Sequence, residues 1–274
     1  MAVENGEWIM RGMAWNDPYR IRTWQELVSW IKEVGFLPLF ANEVEGFSVE
    51  EHVSDRFWWT GDREQDPWEW REIIAADRQV AYGKFFDGKA GFISVEWLPY
   101  FANFRRNGYD FDALWEDGLA SRREKVIMDL LTDRDEDGDM VWKEDQILST
   151  DLKKMAGFGK ASRGGRGKKG AESGGGSKGT SGGFKNFPGT ITNLMMQTYL
   201  VIVDFHKRVN KRGEEYGMPV SVLLPPEAVW GYEQVTAAYS EEPAVSRQRI
   251  IDRVKELYPR ADESVVIRLI GKSR

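Results

Sequence analysis

The chain has 274 residues, a net charge of −6, no Cys and two His, His52 and His206. Without Cys there is no disulfide, no thiolate nucleophile and no Cys-ligated zinc. Any Ser-His-Asp chemistry or His-based metal site would need one of the two His. No apolar run approaches the roughly 20 residues of a membrane span, and MAVENGEWIM lacks the apolar core of a secretory signal. The expectation is a cytoplasmic protein with no membrane partner and no cofactor, built from one to three small domains.

Residues 1–22 read as an irregular or partly ordered arm. Thr23 opens a helix, with Glu26 three residues on. Trp24, Leu27, Val28, Ile31 and Val34 share its apolar face, and Gly35 ends it. FLPLFANEVEGF reads as a turn-rich link because of Pro38 and Gly46, and a short helix is expected from Ser48. A clearer helix starts at Asp66, with Pro67 at its first position and Trp70, Ile73 and Ile74 facing inward. Asp87-Gly88, between VAYGKFF and KAGFISVEW, is a strong signal for a tight hairpin. Residues 23–97 therefore predict helices followed by a hairpin. Residues 98–120 read as a partly helical linking segment.

The same plan returns over 121–225. Ser121 and Glu124 form a capping box ahead of RREKVIMDLL. QILSTDLKKM predicts a second helix with Ile147, Leu148, Leu152 and Met155 on one face. PGTITNLMMQT predicts a third, with Ile191, Leu194, Met195 and Thr198 at helical spacing. YLVIVDFH then alternates with period two, turns at residues 210–213, and returns as MPVSVLL. Three short helices and a hairpin predict a winged helix, although helical units with a hairpin also serve in protein-interaction domains. The predicted class is α+β: two tandem winged-helix units, 23–97 and 121–225, and a C-terminal helical segment, 226–274. In that last segment, 226–239 is expected to be helical, 241–243 breaks it, and Ser246 caps a helix with Ile250, Ile251, Val254 and Leu257 inward.

Charge agrees with a nucleic-acid partner. Residues 153–212 hold thirteen Lys or Arg and two acidic residues, so the remainder is strongly acidic. Such asymmetry is the footprint of phosphate contact. The expected duplex or damaged-DNA contacts are Lys153 and Lys154, the third helix (Thr192, Asn193, Gln197) and the wing (Lys207, Arg208, Lys211, Arg212). Lys and Arg neutralise phosphates, and Asn and Gln match adenine edges. The Gly-, Ser-, Lys- and Arg-rich run 159–186 cannot bury apolar surface and is expected to be disordered. It would either track phosphates or be a neutral insertion.

The stretches VGFLPLFANEVEGFSVEEH, DPWEWREIIAADRQVAYGKFFDGKAGFISVEWLPYFANFRRNGYDFDALW, STDLKKMAGFGK and FPGTITNLMMQTYLVIVDF resemble the AlkZ-like (YcaQ-type) DNA glycosylase superfamily, in its small AlkZ-related group. The resemblance implies tandem winged helices around a basic concave surface, and excision of alkylated or crosslinked bases. It also implies a Gln-x-Gln or Gln-x-Asp pair after the first helix. Here Phe36-Leu37-Pro38-Leu39-Phe40 occupies that place, and Pro38 and Phe40 stand where the two polar residues would. Neither side chain can hold a water or stabilise a cation by charge. A shifted site using Asn42 and Glu43 remains as the enzymatic alternative, with the carboxylate as base or electrostatic stabiliser. A solvated turn is the plainer reading of both. A regulatory or protein-interaction module is the third alternative.

DRDEDGDMVWKE, residues 133–144, matches an EF-hand loop, with Asp133, Asp135, Asp137, Gly138 and Glu144 at positions 1, 3, 5, 6 and 12. Asp129, Thr132 and Asp145 spoil its apolar flanks, so an acidic surface loop is the favoured reading and no metal is assigned. His52 reads as an exposed residue among carboxylates, and His206 as a phosphate contact. Phe57, Trp58, Trp59, Trp68, Trp70 and Trp97 are core aromatics of which one or two would stack on a flipped base. Arg105 and Arg106 are read as DNA-backbone contacts or as ion pairs with Asp110 or Asp112.

Overall fold

The computed structural model describes residues 2–4, 7–136, 140–143, 146–159 and 183–273. The described residues are 43% helix and 20% strand, an α+β composition. Ahead of the first helix, β1 (Ala2–Glu4) and β2 (Glu7–Ile9) pair as a short hairpin inside the segment expected to be irregular or partly ordered. Helix α1 (Trp24–Val34) begins where Thr23 accepts the Glu26 N–H and ends at Gly35. Its Leu27, Val28, Ile31 and Val34 are buried as their spacing predicts.

The expected link after α1 departs from expectation. Phe36–Pro38 is a strand, β3, at the edge of a sheet. Pro38 is tolerated there because an edge position need not donate to a ladder on both sides. Two short 3₁₀ turns follow, Glu50–His52 and Asp55–Phe57. Helix α2 (Pro67–Asp77) is capped by Asp66 and buries Trp70 and Ile74, with Ile73 half-buried. Strands β4 (Val80–Phe86) and β5 (Lys89–Ser94) then form the predicted hairpin. Asp87 and Gly88 both take positive φ, 50° and 70°, as the tight turn requires.

The linking segment holds α3 (Leu98–Arg106) and α4 (Phe111–Glu116). Helix α5 (Arg122–Leu131) carries the complete Ser121–Glu124 capping box. Between α5 and the next helix, β6 (Thr132–Arg134) pairs antiparallel with β7 (Met140–Trp142). The EF-hand-like stretch thus contains most of β6 and all of β7, whereas a calcium loop of that kind joins two helices. Its Asp137, Gly138 and Glu144 lie outside the described residues, as does most of the Gly-rich run, 160–182.

Helix α6 (Ser149–Met155) is shorter than its pattern suggests. Leu152 is buried, but Ile147 and Leu148 precede the helix, and Met155 is 56% exposed. Helix α7 (Phe187–Met196) buries Ile191, Leu194 and Met195. Thr198 lies beyond it at φ 62°, buried but not helical. Strands β8 (Val201–Val209) and β9 (Glu215–Leu224) are long, and their residues 206–218 are exposed on both strands.

The two hairpins join in one antiparallel sheet of order β3-β5-β4-β8-β9, linked where Tyr82 faces Ile202. Helices α8 (Pro226–Trp230), α9 (Tyr232–Val235), α10 (Pro243–Leu257) and α11 (Glu263–Ile270) complete the fold. The expected break before this last long helix is present: residues 236–242 are not helical, and Pro243 opens α10, at a first-turn position where a missing N–H costs nothing. Ser246 is buried within that helix, bonded to Asn103 and Glu241, and is not its cap.

Two apolar cores result. One gathers α1, α2, α3, the sheet and the inward faces of α10 and α11. At its centre Phe36 meets Phe47, Trp97 and Phe101 edge-on, at centroid distances of 5.9, 5.3 and 4.9 Å. Edge-to-face pairs of this kind add about 0.5–1.5 kcal/mol each beyond area burial. The other core gathers α4, α5, α6 and α7 with Leu223 of β9.

Candidate nucleic-acid interface

The base of β9 accepts a neighbour: Leu148 bridges Val222, and the Ser221 and Ser149 hydroxyls lie 3.1 Å apart. This seats the start of α6 against the sheet and leaves the β8–β9 arm standing beside the rest of the helix. Between helix and arm runs a groove of about 570 Å³ lined by Thr150, Lys153, Lys154, Phe158, Arg208 and Tyr216, among others. Lys153 and Lys154 are exposed on α6, and among the described residues Lys154 is paired with Asp151 alone, 2.7 Å away. Arg208 lies over the Tyr216 ring at 4.9 Å, a cation–π contact that holds the guanidinium toward the groove. An exposed ion pair such as Lys154–Asp151 contributes little to stability, so Lys154 can exchange Asp151 for a phosphate at small cost.

Of the nine residues expected to touch DNA, the groove brings Lys153, Lys154 and Arg208 together. Lys207 is beside it on β8, 3.6 Å from Glu215, and Lys211 and Arg212 are exposed in the turn at the arm's tip. The third-helix residues lie differently. Thr192 packs against the β4–β5 turn, where a Cβ on Gly88 would stand 3.3 Å from its methyl group. Asn193 is exposed, and its amide donates to Glu124 at 2.5 Å. Gln197 is buried at the end of α7, with an Oε1 that has no hydrogen-bond partner among the described residues. The Met195 and Met196 sulfurs accept from the Lys84 and Gly88 N–H groups. One side of α7 is thus spent on the first hairpin. His206 is half-exposed and 3.0 Å from Asp204.

Tyr216 was not anticipated from the sequence. The signal was present: counting outward from the turn pairs Val209 with Glu215 and Arg208 with Tyr216, and paired residues share a face of the hairpin.

A second cleft, of about 550 Å³, opens at Asn42 and Glu43 and is lined also by Arg11, Glu45, Glu51, Lys89 and Arg268. The Asn42 side chain is used at both ends: its amide donates to the Phe47 carbonyl at 2.7 Å and its carbonyl accepts the Val44 N–H at 2.9 Å. Glu43 is ion-paired with Arg268. His52 is not a free surface residue: its Nε2 is 2.8 Å from the Gly46 carbonyl oxygen and its ring is 4.1 Å from Trp30. Phe40 packs on Trp58 and Trp68, at 5.5 and 6.4 Å. Trp70 is fully buried, Trp58 nearly so, and Trp59 is 50% exposed.

Arg105 and Arg106 do not reach DNA; both are fully buried. Arg105 donates to the Phe85 and Ile270 carbonyls. Burial without a counter-charge pushes its guanidinium down to about 9, still protonated at neutral pH. Arg106 pairs with Glu227, not with Asp110 or Asp112, and also donates to the Thr198 carbonyl at 2.6 Å. Burial pulls its pKa down, but Glu227 and the nearby tyrosines outweigh that and raise it. Among the described residues no cluster of three His, Asp or Glu is placed to hold a metal ion.

Fold and groove together define an α+β protein with a basic cleft bordered by a long two-stranded arm. A family model described as AlkZ related matches residues 21–271, nearly the whole chain. The protein belongs to the AlkZ-related family. No curated protein and no solved structure matches it. No helix among the described residues is long and apolar enough to cross a membrane.

Proposed function

We propose that this protein binds duplex DNA, including damaged duplexes, through the groove between α6 and the β8–β9 arm, without the base-excision chemistry of the wider superfamily. The observation that carries the reading is the convergence of Lys153, Lys154 and Arg208, from two separate elements, on one groove, with Lys207, Lys211 and Arg212 continuing along the arm. Phosphates need cations spaced along a surface. In the winged-helix reading, 23–97 and 121–225 are the two units and the arm is the wing of the second. The element bordering the basic groove is then α6, because α7 is packed on the first hairpin.

The absence of excision rests on side-chain chemistry. Pro38 and Phe40, in the places of the superfamily's polar pair, carry no acceptor, donor or charge on their side chains. The enzymatic alternative keeps one supporting feature, the polar cleft at Asn42 and Glu43. Against it, the Asn42 side chain is consumed by its own loop and Glu43 by Arg268.

The test is fluorescence anisotropy with plain duplex DNA at two salt concentrations. Replacing Lys207, Arg208, Lys211 and Arg212 by Ala should weaken binding uniformly across sequences. It should also lower the salt slope by up to about 0.9 for each phosphate that is no longer neutralised. Unchanged affinity would reject the arm as a DNA contact. Absence of wild-type binding at low salt would reject the DNA reading and favour a protein-interaction module. Release of a modified base that Glu43→Gln abolishes would establish the enzymatic alternative.

A further inference from the structure

The N-terminal segment and the loop after β3 build a second surface that shares no residue with the groove. Three backbone contacts pin the segment down. The Arg11 N–H donates to the buried Glu50 carboxylate at 2.8 Å, Met13 to the Val53 carbonyl at 2.9 Å, and Ile21 to the His52 carbonyl at 2.8 Å. The Arg56 guanidinium then lies 5.8 Å from the Trp15 ring centre, and that of Arg20 5.2 Å from Phe57. Arg20 is fixed further by donating to the Trp15 carbonyl at 2.7 Å, and Arg22 by donating to the Asp17 carbonyl at 3.0 Å.

The rings here face solvent. Trp15 is 56% exposed, Tyr19 85% and Trp59, farther along the same loop, 50%. Trp59 has φ 59°, a backbone state that bulky L-residues seldom adopt. It is held there by the buried Asp66, which accepts the Trp59 and Gly61 N–H groups at 3.1 and 2.9 Å. Exposed large rings in a group mark a binding surface. Their chemistry selects the partner. A partner helix would call for a continuous apolar face, whereas here Trp15 has the Arg56 guanidinium near its ring, Arg20 and Arg22 are tied to the segment that carries Trp15 and Tyr19, and Trp59 follows Arg56 by three residues, so that charge and ring alternate along the chain. Such alternation matches a strand of unpaired nucleotides, in which each base offers a flat face and each link a phosphate. Bases inside a duplex are already stacked and reach a protein ring only when flipped out.

We propose that residues 15–22 and 56–59 bind an unpaired nucleic-acid strand, with bases stacking on Trp15, Tyr19 and Trp59 and phosphates meeting Arg20, Arg22 and Arg56. The surface gives the protein a place for a single strand in addition to the duplex held by the groove, whose assignment is the reading proposed above.

The experiment titrates the full chain with oligo(dT) and, separately, with duplex DNA, following anisotropy and tryptophan quenching. Trp15→Ala with Trp59→Ala should weaken oligo(dT) binding at least ~10-fold and leave duplex affinity within about twofold. Lys153→Ala, Lys154→Ala and Arg208→Ala together should do the reverse. Arg56→Glu, a change confined to an exposed side chain, provides a second variant should the double Trp variant fold poorly, and it too should lose oligo(dT) selectively. No binding of oligo(dT) by the wild type, or oligo(dT) affinity that follows the groove variant and ignores the ring and Arg56 variants, overturns the proposal. Ring-dependent oligo(dT) binding with no duplex binding at all sinks the groove reading and leaves this one standing.

Discussion

Arg105 and Arg106 show how far one residue's role depends on what surrounds it. In FANFRRNGYDF two adjacent arginines between aromatics look like phosphate contacts. Both point inward because α3 is covered on several sides, by β4, by the end of α11 and by the segment after β9. Arg105 ties the last turn of α11 to β4 through two carbonyls, and Arg106 ties α3 to Glu227 of α8 and to Thr198. A buried pair is costly to break from one side, since the remaining charge has neither water nor a partner. Arg106→Met should therefore lower stability by about 3–5 kcal/mol in urea unfolding. Adding Glu227→Leu should recover part of that loss, because it removes the orphaned carboxylate. A double variant as unstable as the sum of the two single variants would show that the pair is not coupled.

Among the elements, the strand pair β4–β5 was legible and its neighbour β3 was not. Asp87-Gly88 between two apolar runs specifies its own turn. Phe36–Pro38 has three residues and a proline, too little to announce a strand; it becomes one because β5 offers it an open edge. The join is tight. Gly91 faces both Gly83 and Pro38 across the strands, and a Cβ on it would stand 2.5 Å from the Phe86 ring and 2.7 Å from the Leu37 carbonyl oxygen. Gly91→Ala should cost about 1–3 kcal/mol through this overpacking, measured as a lower unfolding midpoint with an unchanged urea slope. A neutral effect would mean that β3 can shift away without penalty. The β8–β9 arm was equally legible, by its alternation and its basic turn, but the groove beside it was not. Met155, at an apolar position in the helical pattern, is at the exposed end of α6, because the helix is docked at its other end by the Leu148–Val222 bridge.

For the whole molecule, two apolar cores lie against a single sheet. Tyr82 and Ile202 join the hairpins, and Ile202 packs against both cores. Separate units would expose that strand edge on parting, with its unpaired backbone groups. We therefore expect one cooperative transition: urea curves followed by tryptophan fluorescence, which reports mainly the first core, and by far-ultraviolet circular dichroism, which reports helices of both, should coincide. Two separated midpoints would show that the halves fold independently.

The sequence alone determined the helix starts at Thr23, Asp66 and Ser121, the two long hairpins, the inward faces of α1 and α7, and the family. Caps, turns and periodicity act within a few residues of chain, so they can be read without the rest of the protein. It also marked Lys153, Lys154 and Arg208 as candidates. Tertiary structure decided that these three share one groove, that Thr192 and Gln197 are taken up in packing, that Asn42 serves its own loop, and that the hairpins form one sheet. Asn42 is taken by partners two and five residues away, in a loop whose conformation no periodicity announces; the other outcomes depend on which surfaces are covered by segments tens to more than a hundred residues away, and burial of that kind leaves no local pattern.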